Sequence, residues 1–369
     1  MRFEQSESLV VETAEPAQHA PRKRLVHDIH QLRGVAILGV VLLHAIGMFI
    51  QVEMPPMAEG GLTWYASVLS TVLFHDFTIL FTFISGVLFS ALQQGAGWQR
   101  FYEKKIKYVL LPYLLMSAVF SLFAWSMTDG LTVLPLDAAT YFSGLGKNLL
   151  LGAAQWPYWY IPVVSFLFLM TPLLLRAVEH AKGRWFVVGM ALLPLVVSRT
   201  DTRLTVEIFG YFLGVYTVGL FWGKNHEAYV ARLRPYLAHM ALAFVGTSIV
   251  LLVLKIHDIN LVRPVLIQES FFYIQKMALT GLLLVLLQRE LKIPFLGQLA
   301  TYSFTIYFLH TFVLQGVLYP WHAAGLTPAS VFGGFISASA YVICVIAVSL
   351  GMSKVFHTVL GHRARLLVG

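Results

Sequence analysis

LRGVAILGVVLLHA, residues Leu32 to Ala45, holds one guanidinium near its start and one imidazole near its end, in otherwise apolar or small residues. The run continues apolar to about residue 52. That is enough to cross a hydrocarbon core of roughly 30 Å, which takes about 20 residues of helix. An ionisable side chain inside such a span is costly and marks a functional site by default. Arg33 and His44 are 11 residues apart. At roughly 100° per residue this is about three turns plus 20°, so the two share one face, about 16 Å apart along the axis. The expected arrangement is a cationic site near one membrane surface joined to an acid–base group deeper in. Arginine suits a phosphate-bearing ligand, and a neutral imidazole suits a general base. The same spacing also fits an arginine that snorkels to lipid phosphates and a histidine that bonds a neighbouring helix.

Working outward, nine further apolar runs follow. With the first, the expected spans are 32–52, 64–92, 107–127, 158–176, 184–199, 205–222, 236–255, 267–288, 296–319 and 330–352. The reading is an all-α polytopic bundle of about ten transmembrane helices with both termini cytoplasmic. Composition agrees: 58% of the 369 residues are hydrophobic and 12% charged, against about 45–50% and 25% in soluble domains. With the N-terminus inside, 19 of the 26 Lys and Arg fall in cytoplasmic segments and five in external ones, the bias expected of an even helix number. This clustering also accounts for the net charge of +8 without nucleic acid as a partner. The longest connection, roughly 128–157, suits a short amphipathic stretch on the membrane surface. No internal repeat is visible, which counts against a transporter built on symmetric halves. The lone Cys344 lies in an apolar run and offers neither disulfide nor metal pair.

Further ionisable residues fall in the spans: His75, Asp76, Glu207, Glu269, Lys276 and His310. His75 and Asp76 adjoin but point in different directions on a helix, so each needs its own partner. Glu207 lies near the outer end of its span, where solvent reaches it. Glu269 and Lys276, seven residues apart, share a face, and a structural ion pair is expected there. No nucleophile elbow, phosphate loop or metal-ligand spacing is present.

The stretch around Arg33 and His44 resembles the first helix of the acyltransferase 3 family, in which an Arg is followed by ten residues and then a His. FTFISGVLF (Phe81 to Phe89) resembles the family's Phe-x-Ser-Gly segment through Phe83, Ser85 and Gly86. FYEKKIKYVLLPYL (Phe101 to Leu114) is similar to the basic loop before the family's third helix. FLGQLATYSFTIYFLH (Phe295 to His310) is similar to a late helix ending in Tyr-x-x-His, here Tyr307 and His310. There are departures as well. His30 stands where many members have Asp, Lys104, Lys105 and Lys107 replace an Arg-x-x-Arg, and QWPYWYIP (Gln155 to Pro162) lacks a His.

The resemblance implies a membrane acyltransferase domain over 25–355, between a disordered cytoplasmic tail (1–24) and a basic cytoplasmic tail (356–369) in a bacterial cytoplasmic membrane. It implies an acyl group, acetyl or succinyl, moving from cytoplasmic acyl-CoA to a hydroxyl of an extracytoplasmic carbohydrate, with no bound cofactor or metal. Arg33 and His44 would be catalytic, and Arg33, Lys104, Lys105 and Lys107 would meet the donor's phosphates. His75, Asp76, Trp159, Tyr160 and His310 would line the acceptor side, although the aromatics equally suit membrane-interface anchors. Implied partners are membrane lipid and proteins of polysaccharide synthesis or export. Export of polysaccharide without acyl transfer is the alternative.

Overall fold

The computed structural model describes residues 19–54, 59–93, 97–126, 130–134, 137–199, 204–259, 267–288, 293–326, 328 and 330–369. Residues 1–18 of the tail expected over 1–24 lie outside the described residues, as do Arg203, Arg263, Arg289 and Lys292.

The chain is a helical bundle of the polytopic membrane type. Its helices begin with α1 (His19–Glu53), α2 (Leu62–Phe74), α3 (Thr78–Leu88), α4 (Trp98–Lys105), α5 (Leu111–Phe120) and α6 (Ala138–Leu151). Next come α7 (Tyr160–Glu179), α8 (Gly183–Val196), α9 (Val206–Gly223), α10 (His226–Leu233) and α11 (Leu237–Ile256). The last are α12 (Ile267–Leu287), α13 (Pro294–Thr301), α14 (Ser303–Ala323), α15 (Val331–Leu360) and α16 (Ala364–Leu367). Single π-helical turns, Phe89–Gln93 and Ile106–Leu110, extend α3 and join α4 to α5.

Among the described residues, seven helical segments are long and apolar enough to cross a membrane, with Gly183–Val196 a shorter apolar helix. The expected ten therefore do not all meet that measure, for two physical reasons. The third expected span ends early at Phe120 and gives way to an antiparallel hairpin, Phe123–Ser126 against Gly130–Val133, with Phe123 opposite Val133. The ninth, α14, has the length but is diluted by Tyr307, His310, Thr311 and Gln315. The long connection holds α6, which buries none of its residues and exposes Phe142 and Leu150. It is held at the bundle edge by the Tyr113 hydroxyl, which donates to the Leu149 carbonyl at 2.6 Å.

Both expected tails are partly helical. α1 begins at His19, because Pro21 falls in its first turn, where the missing N–H costs nothing. α15 runs on to Leu360, and α16 then folds back onto α5 and the π turn before it.

α1 is the central post. Its Leu32, Ala36, Ile37, Ala45 and Phe49 are fully buried, and it meets α2, α3, α12, α13, α14 and α15. α3 and α9 pack backbone to backbone at Gly86, Gly219 and Gly223. A β-carbon at Gly86 would stand 2.5 Å from the Tyr216 carbonyl oxygen.

The second expected span is broken in the middle. His75–Phe77 form a turn between α2 and α3, with Asp76 at φ 64, a left-handed conformation that few residues besides Gly, Asn and Asp adopt readily. A break inside a membrane leaves carbonyls that must find donors. The Gln275 amide donates to the Val72 carbonyl at 3.1 Å and the Lys276 ammonium to the Leu73 carbonyl at 3.1 Å, also reaching Gln275 Oε1. Lys276 therefore serves as a hydrogen-bond donor at the C-terminal end of a half-helix. This corrects the expected Glu269–Lys276 ion pair.

Candidate active site

Two cavities meet at Tyr307. The inner one, about 230 Å³, is bordered by Arg33, Ser85, Lys105, Tyr160, Tyr307 and Arg365 among others. The outer one, about 140 Å³, is bordered by His44, His75, Asp76, Trp159, Arg199 and Tyr307. The Arg33/His44 face of α1 thus supplies one residue to each. Tyr307 stands between them, its hydroxyl donating to the Pro157 carbonyl.

On the inner side, the Arg33 guanidinium lies 6.0 Å from the centre of the Phe304 ring. Lys105 reaches into the same cavity, its ammonium 4.0 Å from the centre of the Phe168 ring. Loss of water around Lys105, with Arg33 and Lys104 close by, pulls its ammonium down to about 8. Lys104 and Lys107 do not border the cavity; Lys107 is exposed beside Tyr108. Three lysines in four residues on a helix cannot all face one way, so the structure brings only one of them to Arg33. Ser85 borders the cavity, while Gly86 permits the close approach of α9.

On the outer side, His44 Nδ1 lies 3.0 Å from His310 Nε2. The other ring nitrogen of His310, Nδ1, lies 2.8 Å from the Tyr307 carbonyl and 3.1 Å from that of Ile306. Carbonyls only accept, so the proton of neutral His310 sits on Nδ1 and its Nε2 must accept. His44 then donates from Nδ1, and its Nε2 carries a lone pair and no proton. The two rings lie nearly in one plane, edge to edge, their centres 5.3 Å apart as that N···N contact requires, and the exposed Trp156 stacks on His44 at 5.3 Å. His310 is fully buried, whereas His44 keeps partial access.

The broken helix places His75 and Asp76 at the same cavity, around Arg199. The guanidinium lies 2.9 Å from His75 Nε2, 3.3 Å from Glu269 Oε2 and 3.5 Å from Asp76 Oδ1. The Tyr211 hydroxyl donates to Asp76 Oδ2 at 2.6 Å and the Thr78 hydroxyl to Oδ1 at 3.0 Å. Donor atoms of His75, Asp76 and Glu269 come within 4.8 Å of one another, as metal ligands would. The Arg199 guanidinium already supplies the positive charge there, and the group reads as an ion-pair network. Arg199 also covers the Trp159 ring at 5.2 Å.

The aromatics of QWPYWYIP divide. Tyr158, Trp159 and Tyr160 are buried inside the bundle and do not act as interface anchors, because the 3-10 turn Trp156–Trp159 packs on α14 and α7, which follows it, on α9. Trp159 borders the outer cavity. Tyr160 borders the inner one instead, its hydroxyl 2.9 Å from Thr82 Oγ1, so it stands apart from the expected acceptor side.

Sequence reasoning missed Arg199 and Arg365 as site residues and gave Glu269 the wrong partner. Arg199 had one signal: it is one of the five cations placed externally, against the charge bias. Trp156 is legible in the sequence as one of the aromatics a carbohydrate would meet, but its contact with His44 is purely tertiary.

With this geometry in place, the sequence matches become informative. The profile of the acyltransferase 3 family, described as an acyltransferase domain, matches residues 26–354. The chain belongs to the acyltransferase 3 family. It is 22% identical over 306 residues to the putative membrane-bound acyltransferase YfiQ of Bacillus subtilis strain 168, covering 78% of this chain and 81% of that protein. It is also 22% identical over 316 residues to the probable poly-beta-1,6-N-acetyl-D-glucosamine export protein of Staphylococcus aureus strain MSSA476, covering 80% of this chain and 84% of that one. No solved structure matches the chain significantly. This acyltransferase 3 member is a multi-pass membrane protein whose matched region holds the Arg33, His44 and His310 positions.

Proposed function

We propose that the protein transfers an acyl group, acetyl or succinyl, from acyl-CoA to a hydroxyl of an extracytoplasmic carbohydrate. The single observation that carries this reading is the pair of cavities that share Tyr307 in their walls, cationic on one side and bordered on the other by His44, which is backed by the buried His310 outside the lining. Phosphates of the donor sit against Arg33 and Lys105 at the cytoplasmic end, and its thioester points toward Tyr307. In the outer cavity the acceptor hydroxyl donates to His44 Nε2. As its oxygen attacks the thioester carbonyl, His44 takes the proton. The imidazolium is supported through Nδ1 by His310, and the Trp156 face adds a cation–π contact. When the carbon–sulfur bond breaks, the CoA thiolate leaves and His44 returns the proton to it.

Trp159, His75 and the Arg199 network provide a sugar with an aromatic face and polar edges. The name of the Staphylococcus relative supports a cell-surface polysaccharide as acceptor, in the cell membrane of a bacterium and beside proteins of polysaccharide synthesis or export. That name also supports a second reading, export without acyl transfer. A passage needs no base with a fixed tautomer, so the His44–His310 pair favours the enzyme.

The test compares surface glycans from cells with the intact protein, a deletion and His44→Ala. Acylation is expected only with the intact protein. Equal acylation in all three, with export changed, would refute the enzyme.

A further inference from the structure

Among the described residues, the lining of the inner cavity includes three cations, Arg33, Lys105 and Arg365, together with His357 and Gly369, and no Asp or Glu side chain. Arg365 comes from the segment expected to trail away as a basic tail. It does not trail away. Gly361–Arg363 make one 3-10 turn, α16 turns back, and Ala364 and Val368 are buried at 0% and 6% exposure. The Thr305 hydroxyl donates to the Gly369 carbonyl at 2.7 Å, holding the end of the segment against α14. Arg365 itself is exposed at the cavity mouth, its guanidinium 5.4 Å from the centre of the Tyr108 ring. It is close enough to Arg33 for the two charges to interact.

Three like charges around one cavity of about 230 Å³ repel one another. Folding a chain segment back to deliver the third adds to that repulsion. An anion bound between them offsets it, and a guanidinium fork matches two phosphate oxygens at once.

We propose that Ala364–Gly369 is a clamp across the donor cavity, in which Arg365 binds a phosphate of the donor together with Arg33 and Lys105. The identity of the donor rests on the acyl-CoA reading above; the anion site rests on the three cations. A phosphate ester can come from CoA or from a lipid headgroup, so the experiment separates the two.

The intact protein in dodecyl maltoside is titrated calorimetrically with CoA, pantetheine and inorganic pyrophosphate, alongside Arg365→Gln, Arg365→Lys and Arg363→Ala. Size-exclusion profiles show that each variant is folded. Arg365→Gln is expected to bind CoA about tenfold more weakly, the loss of one charged hydrogen bond. Arg365→Lys falls between, because a lysine keeps the charge without the fork. The exposed Arg363, outside the cavity lining, leaves binding unchanged. Pantetheine, which has no phosphate, binds wild type and Arg365→Gln alike.

Equal CoA affinity for wild type and Arg365→Gln overturns the clamp while the donor reading stands. Arg365-dependent binding of pyrophosphate with no binding of CoA supports the anion site and overturns the donor reading. Binding of neither overturns both. Displacement of CoA by stoichiometric phosphatidylglycerol, lost in Arg365→Gln, assigns the site to lipid and overturns the clamp.

Discussion

Replacing His310 by Leu removes the acceptor that fixes the tautomer of His44 while leaving the polypeptide intact. The Ile306 and Tyr307 carbonyls that His310 contacts lie four and three residues before it on α14. They are within reach of the helix's own backbone N–H groups, so the substitution does not orphan them. Two losses follow at His44. The 3.0 Å bond from its Nδ1 disappears, and with it a net bias of about 1 kcal/mol toward the tautomer with a bare Nε2. The imidazolium formed during proton transfer also loses a charge-assisted hydrogen bond worth about 1.5–3 kcal/mol. At 1.36 kcal/mol per tenfold, kcat falls roughly ten- to a hundredfold or somewhat more. The KM for acyl-CoA stays unchanged, because His310 does not border the inner cavity.

His310→Gln separates positioning from packing. Its amide oxygen can accept from His44 Nδ1 and its N–H can donate to the Tyr307 carbonyl, so it is expected to recover much of the rate. Acyl transfer is measured in membranes with radiolabelled acyl-CoA. The tautomer of His44 is read from nitrogen-15 chemical shifts of labelled histidine, a signal that a merely structural role would not move. A Leu variant with wild-type kcat, or a Gln variant no better than Leu, would refute the argument.

Three further outcomes follow from the same geometry. Lys105, drawn down to about 8, is charged below that pH and neutral above it, so CoA affinity falls as pH rises from 7 to 9, by at most roughly tenfold per unit for one linked proton. Lys105→Arg flattens that fall; an unchanged slope in calorimetric titrations rules Lys105 out as its source. Arg199→Met strands Asp76 and Glu269 beside one another at a buried site, a cost of about 3–5 kcal/mol. Thermal unfolding in detergent measures it, and adding Glu269→Gln should restore part of the loss. Gly86→Ala forces α3 from α9, since its β-carbon would meet the Tyr216 carbonyl at 2.5 Å, and costs about 1–3 kcal/mol. Gly47→Ala, with nothing within 4 Å of its β-carbon, should be neutral or slightly stabilising in the same melt.

The sequence alone determined the class of fold, because a chain with this much apolar surface and so few charges has no solution but a membrane bundle. It also determined the common face of Arg33 and His44, since helical periodicity is a local property of the backbone. The break at Asp76 was not legible: 64–92 reads as one apolar run, and the left-handed turn persists only because Gln275 and Lys276 reach across from α12 to cap its open end. Nor was the division of labour among the ionisable residues. Glu269 and Lys276 share a helix face, yet Arg199 draws the first and the broken helix draws the second. His310 became a partner for His44 only through a contact between positions 266 residues apart, and Arg365 a wall of the inner cavity only because α16 and α1 meet around it. Burial energy and periodicity act along the chain and can be read from it. Which charged group satisfies which depends on where distant helices meet, and the tertiary structure alone decides that.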